Sequence, residues 1–257
     1  MKKLLLSAFV ICLAGTSIAQ ESPLWMRHCA LSPDGTTIAF TYKGDIYTVP
    51  STGGRATQIT TNPAFDTEPV WSPDSKQIAF ASDRMGSLDV FVVSSEGGAP
   101  QRLTTHSGSE KPVAYKDNKH ILFTANIAPS AEDAGFPSGQ FQQVYEVAVT
   151  GGRPAMFSSM PMECISINKE GVMLYQDKKG YEDYWRKHQV SPIARDIWTY
   201  TPGKKPVYQK QTTFGGEDRE PVWSPDGKSF YYLSEEKGSF NIFQRTPGTT
   251  TSQPVSY

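Results

Sequence analysis

Trp71-Ser72-Pro73-Asp74-Ser75-Lys76-Gln77-Ile78-Ala79-Phe80 is one of three copies of a unit. The others are Ser32-Pro33-Asp34-Gly35-Thr36-Thr37-Ile38-Ala39-Phe40 and Trp223-Ser224-Pro225-Asp226-Gly227-Lys228-Ser229-Phe230-Tyr231. Each reads as a hairpin turn: Pro pre-sets φ at the second position, Asp tolerates the third, and Gly accepts a positive φ at the fourth. Short apolar segments precede it (Pro69-Val70-Trp71, Pro221-Val222-Trp223), and Gln77-Ile78-Ala79-Phe80-Ala81 follows, as two half-buried strands require. A third strand comes next in each repeat, at Asp45 to Val49, Asp89 to Val93, Val144 to Ala148, Asp196 to Tyr200 and Asn241 to Gln244. A Gly-Gly turn then leads to a fourth, such as Ala56 to Thr60 or Pro100 to Thr104. Four antiparallel strands per repeat make a propeller blade, so the fold class is all-β.

The turn recurs after 40, 43, 53 and 56 residues, at Gly35, Ser75, Asn118, Gly171 and Gly227. A four-stranded blade takes roughly 40–45 residues, so the two long repeats carry insertions. These are Ala128 to Gln142 and Lys178 to Arg195, both between the second and third strands and therefore on one face of the disc. A β-sandwich also has short strands at this spacing but has no need to repeat a whole Trp-Ser-Pro-Asp unit. The blades are expected at 27–61, 69–105, 112–159, 161–213 and 221–257, within a propeller domain at 20–257. The fifth is expected to be incomplete, because Thr249 to Tyr257 shows no strand pattern and no sixth repeat follows; the chain reads as part of a longer protein.

Met1-Lys2-Lys3, the apolar run Leu4 to Ala14 and Ser17-Ile18-Ala19 form a secretory leader at 1–19, cleaved after Ala19 or Gln20. The run is shorter than the roughly 20 residues that a membrane span needs. A periplasmic or secreted protein follows. Cleavage removes Cys12 and leaves Cys29 and Cys164, in blades too far apart for a disulfide, as unpaired and partly buried thiols. They form no metal-ligand spacing with His28, His106, His120 and His188, so no metal is expected. With 25 basic and 26 acidic residues and no basic run, the chain lacks a nucleic-acid surface.

No Gly-x-Ser-x-Gly elbow, phosphate-cradling loop or dinucleotide fingerprint occurs, so neither a catalytic residue nor a cofactor is assigned. Binding is the remaining chemistry. The residues just before the inner strands, His28, Glu68, Lys111, Cys164 and Glu220, ring one mouth of the central channel, with Asp66 and Glu217-Asp218-Arg219 beside them. They are either solvated and mutually paired or a polar gate that reads a peptide or its terminus. Tyr181, Tyr184, Trp185, Arg186 and His188, in the longest insertion, make either a loop packed on its own blade or a docking surface, since Tyr, Trp and Arg concentrate binding energy. Trp71 and Trp223 fill the wedge between blades. Asp45, Asp89 and Asp196 are read as hydrogen-bonding within turns.

The unit x-W-S-P-D-G-x-x-I-A-F, followed by D-I-Y/F and G-G-x-x-x-x-L-T, resembles the repeat of TolB, of dipeptidyl-peptidase propellers and of the tricorn protease. The likeness runs from about Trp25 to Phe243 and is weakest in blades three and four. The leader running straight into the first repeat, and Val190 to Trp198, most resemble secreted tricorn-like serine peptidases. That resemblance implies a six-bladed propeller, of which five blades are present, ahead of a second propeller, a PDZ domain and a serine-peptidase core. It implies a non-catalytic part that guides a peptide or protein substrate and docks on downstream domains of its own polypeptide. A stand-alone TolB-like interaction module with a protein partner is the alternative.

Overall fold

The structure is a computed structural model that describes residues 25–127, 141–180 and 190–256. Its strands form five four-stranded antiparallel sheets, each in chain order. Blade one holds β1 (Arg27–Leu31), β2 (Thr37–Tyr42), β3 (Asp45–Pro50) and β4 (Thr57–Gln58). Blade two holds β5 (Asp66–Trp71), β6 (Gln77–Ser82), β7 (Asp89–Ser94) and β8 (Gln101–Arg102). Blade three holds β9 (Lys111–Asp117), β10 (His120–Ala125), β11 (Gln143–Ala148) and β12 (Ala155–Ser158). Blade four holds β13 (Met162–Ile167), β14 (Met173–Asp177), β15 (Ile197–Thr201) and β16 (Val207–Lys210). Blade five holds β17 (Asp218–Trp223), β18 (Phe230–Ser234), β19 (Asn241–Arg245) and β20 (Ser252–Pro254). Blade five thus has its fourth strand, where the sequence shows none.

The repeated turn works as its residues dictate. Ser72 Oγ donates to Asp74 Oδ1 (2.7 Å) and accepts from the Gln77 amide (2.9 Å). Blades one and five repeat this through Ser32 with Asp34 and Ser224 with Asp226. Hydrogen bonds from these serines hold the Asp34, Asp74 and Asp226 carboxyls below the usual carboxylate range. Where the motif decays, other side chains make equivalent bonds. Asn168 Oδ1 accepts from the Glu170 and Val172 amides (3.1 and 2.9 Å), and Asp117 Oδ1 from Lys119 and His120 (2.7 and 2.8 Å). Ser72→Ala removes a part-buried donor and acceptor together and is expected to destabilise by about 1–2 kcal/mol, measured by chemical denaturation.

Blades pack with a fixed polarity, because adjacent residues of a strand face opposite neighbours. Ala79 points toward blade three and joins Val90, Val92 and Leu103 against Tyr115, Ile121, Phe123 and Tyr145. Phe80, the next residue, points back toward blade one and joins Trp71, Ile78 and Phe91 against Ala39, Ile46 and Ile59. Leu122 in blade three likewise joins Val144 against Tyr175, Met162 and Met173, and Leu174 in blade four joins Ile197 against Phe230, Tyr232 and Phe243. Three of these four junctions set an aliphatic face against a mainly aromatic one, and that between blades three and four uses Met162 and Met173 with Tyr175 instead. Trp71 and Trp223 are the wedges expected of them, and each donates its Nε1 to the preceding blade, at Ala30 O (3.0 Å) and Val172 O (3.1 Å). The inner strands touch in the series β1, β5, β9, β13, β17, and β17 makes no contact of that extent with β1. Leu31 on β1 and Val222 on β17 are accordingly exposed.

Asp45, Asp89 and Asp196 depart from their expected role within turns. Each opens a third strand and sits beside a carboxylate of the next blade: Asp45 with Asp66, Asp89 with Glu110, Asp196 with Asp218. A cation attends each pair, with Arg84 on Asp66, Arg102 on Asp89, and Lys179 and Lys210 on Asp196. At the blade three to four junction the same two positions are Gln143 and Met162, so both acids are absent together. The turn reading failed because pairing across blades cannot be seen in one repeat.

Candidate functional site at the channel mouth

Four inner strands share one irregularity. Pairing of β1 with β2 skips from Arg27↔Thr41 to Ala30↔Ala39, and of β5 with β6 from Thr67↔Ala81 to Val70↔Ala79. The same skip occurs after Glu163↔Gln176 in blade four and Arg219↔Leu233 in blade five. The residue that opens each bulge is left-handed: His28 (φ 51°), Glu68 (55°), Cys164 (52°) and Glu220 (54°). A bulge bends the strand and re-aims the side chain at its corner. Four equivalent bulges present His, Glu, Cys and Glu at equivalent places around the ring. Lys111, the blade-three counterpart, has no left-handed backbone and instead spans to its neighbour, placing Nζ 2.7 Å from Glu68 Oε1.

These side chains share one space. Cys164 is open to solvent yet ringed by protein, and that enclosure, with Glu220, Glu163 and Glu68 nearby, pushes its thiol up to about 12. A residue that feels carboxylates from blades two, four and five together faces the axis. Cys29 is also free and exposed, so both thiols are unpaired as expected, while Cys29 is not partly buried. Glu163 anchors the blade-four side. It accepts from Lys178 (2.8 Å) and Gln176 Nε2 (3.0 Å), and Arg195 Nε lies 3.3 Å away. Burial alone raises its carboxyl, but Lys178, Gln176 and Arg195 hold it below the usual range. Gln176 Oε1 in turn accepts from the Glu220 amide (2.8 Å), and Arg195 also pairs with Glu217.

Of the residues proposed from the sequence, Glu68, Lys111, Cys164 and Glu220 are brought together, and His28 occupies the matching bulge of blade one. Asp66 lies elsewhere: it is fully buried and takes both of its bonds from Arg84 Nη2 (2.8 and 2.9 Å). Tyr181, Tyr184, Trp185, Arg186 and His188 fall outside the described residues. Glu163, Gln176, Lys178 and Arg195 were missed, since they sit in the blade where the motif is weakest. Among the described residues, no group of three or more His, Cys, Asp or Glu side chains is arranged to hold a metal ion. The mouth offers carboxylates beside a lysine and an arginine, a surface of mixed charge.

Residues 23–256 match the tricorn protease N-terminal β-propeller domain. The chain is 39% identical over 213 residues to tricorn protease homolog 1 of Streptomyces coelicolor, covering 82% of this chain and 19% of that protein. It therefore spans about a fifth of that relative's length. Its fold is similar to the crystal structure of the tricorn protease (TM-score 0.73, 16% identity, 92% of this chain and 23% of that one). It is also similar to a putative TolB from Agrobacterium tumefaciens (TM-score 0.69, 14% identity, 91% and 81% covered). By its repeats, its five blades and the match over nearly its whole length, the chain belongs to the family of tricorn protease N-terminal β-propeller domains.

Proposed function

We propose that this propeller is a non-catalytic module of an exported tricorn-like serine peptidase, admitting and orienting peptides at its channel mouth for a proteolytic part elsewhere in the polypeptide. The observation that carries this reading is the convergence of Glu68, Cys164 and Glu220, each on a left-handed bulge, with Lys111 paired to Glu68 beside them. Buried area on the blades needs no charge there; binding of a zwitterionic chain does. The leader at 1–19 directs export, and the insertion bearing Tyr184 and Trp185 docks the downstream domains.

The test is calorimetric titration of unmodified and end-blocked short peptides into the chain and into the Glu68→Gln/Glu220→Gln variant. Unblocked peptides are expected to bind, with affinity lowered at least about tenfold in the variant, which corresponds to about 1.4 kcal/mol. Equal affinity in both proteins would remove the mouth from peptide recognition. It would leave a TolB-like docking module, the reading that the similarity to TolB supports.

A further inference from the structure

Blades two and five align without a gap from Asp66 to Phe91 and from Asp218 to Phe243, and the comparison exposes one exchange. In blade two, Arg84 from the β6–β7 hairpin lays Nε on Ser82 Oγ (2.8 Å) and Nη2 on both oxygens of Asp66. Its guanidinium lies 4.5 Å from the Phe91 ring centroid and 5.5 Å from that of Phe80. Blade five keeps the surroundings: Asp218 for Asp66, Ser234 for Ser82, Tyr232 for Phe80 and Phe243 for Phe91. Asp218 pairs with Ser234 across β17 and β18 as Asp66 does with Ser82 across β5 and β6. The hairpin keeps its anchor too, since Glu235 Oε1 accepts from the Glu217 amide as Asp83 Oδ1 does from Phe65. At the position of Arg84 stands Glu236, while Arg219, in the place of Thr67, lays its guanidinium 4.0 Å from the Phe240 ring centroid.

Asp218 is consequently a carboxylate 1% exposed, with the Ser234 and Thr212 hydroxyls beside it but no cation on either oxygen among the described residues. We propose that Asp218, Ser234, Tyr232 and Phe243 form a guanidinium socket that receives the side chain of an arginine-bearing peptide, with exposed Glu236 at its lip. The entering group reproduces what Arg84 does in blade two: charge-assisted bonds to the carboxylate, one to the serine, and stacking on two rings. A hydroxyl-rich or purely apolar ligand would leave the carboxylate unpaired. Among the described residues the charged groups near it are Asp196, with its partners Lys179 and Lys210, from blade four, Glu236 from its own hairpin, and the buried Arg219 next to it on β17. Neither lysine is placed on Asp218. Burial, with Asp196 and Glu236 close by, pushes the Asp218 carboxyl up to about 7 against the lowering effect of the Ser234 and Thr212 hydroxyls, and no cation among the described residues is placed on it. The socket lies at the blade four to five junction and does not rest on the channel reading.

The experiment titrates the chain at mildly alkaline pH with acetyl-Gly-Arg-Gly-amide and with its citrulline counterpart, an isostere without the charge. The arginine peptide is expected to bind at least tenfold tighter than the citrulline peptide, and to lose at least tenfold as pH falls below 7. Asp218→Asn abolishes the preference. Glu236→Arg supplies the chain's own guanidinium and is expected to block the peptide while raising the melting temperature, so that lost binding is not mistaken for lost folding. Glu68→Gln/Glu220→Gln leaves this binding unchanged, which separates the socket from the mouth. Equal affinity for the arginine and citrulline peptides, or undiminished binding by Glu236→Arg, overturns the proposal.

Discussion

Replacing Arg84 with Met is expected to lower stability by about 3–5 kcal/mol, because it strips the paired cation from a fully buried carboxylate. The loss is that of an uncompensated charge rather than of a favourable pair. The double variant Arg84→Met/Asp66→Asn should therefore recover most of it, and denaturant titration of the four proteins of the cycle measures the coupling. Equal destabilisation by the single and double variants would mean that the arginine acts through its stacking on Phe80 and Phe91 instead.

Replacing Asp218 with Asn is expected to act in the opposite direction. Its carboxyl rises from 3.8 to about 7 on folding, so the folded chain holds a proton that the unfolded chain releases between those values. Stability of the unaltered chain is greatest below about pH 4 as far as this group is concerned, and declines as pH rises to about 7. At about pH 8 the buried charge costs on the order of 4 kcal/mol, which asparagine avoids. The variant should be the more stable protein at about pH 8, with the difference shrinking to nothing near pH 4. Denaturation midpoints that shift in parallel at every pH would show that Asp218 is not the titrating group. In the two blades, one aspartate position gives opposite outcomes because Asp66 is paired with Arg84 whereas Asp218 has no paired cation among the described residues.

The fold was legible because each blade repeats the same few decisions. Pro and Asp set the turn, its serine closes it, and neighbouring residues such as Ala79 and Phe80 face different blades. What stayed hidden depends on contacts between repeats. Ser252-Gln253-Pro254 has no strand signature, yet it pairs with β19, and Val255 N donates to Ile242 O (2.7 Å), because an edge of unpaired backbone offers those bonds. Glu68 and Glu220 were located by counting from the turns, but nothing in a glutamate announces a left-handed backbone. The Glu163 network went unseen because Lys178 and Arg195 bound an insertion whose path the repeat does not specify.

The left-handed bulges have a consequence for how this protein is allowed to change. A residue with a side chain costs about 1–2 kcal/mol in that conformation where glycine costs almost none. Four such corners, at His28, Glu68, Cys164 and Glu220, add up to several kcal/mol that glycine would return. A lineage selected for robustness alone would drift toward glycine at all four and widen its channel into a bare pore. The side chains at these corners mark where the molecule gives up durability in exchange for side chains at the channel mouth.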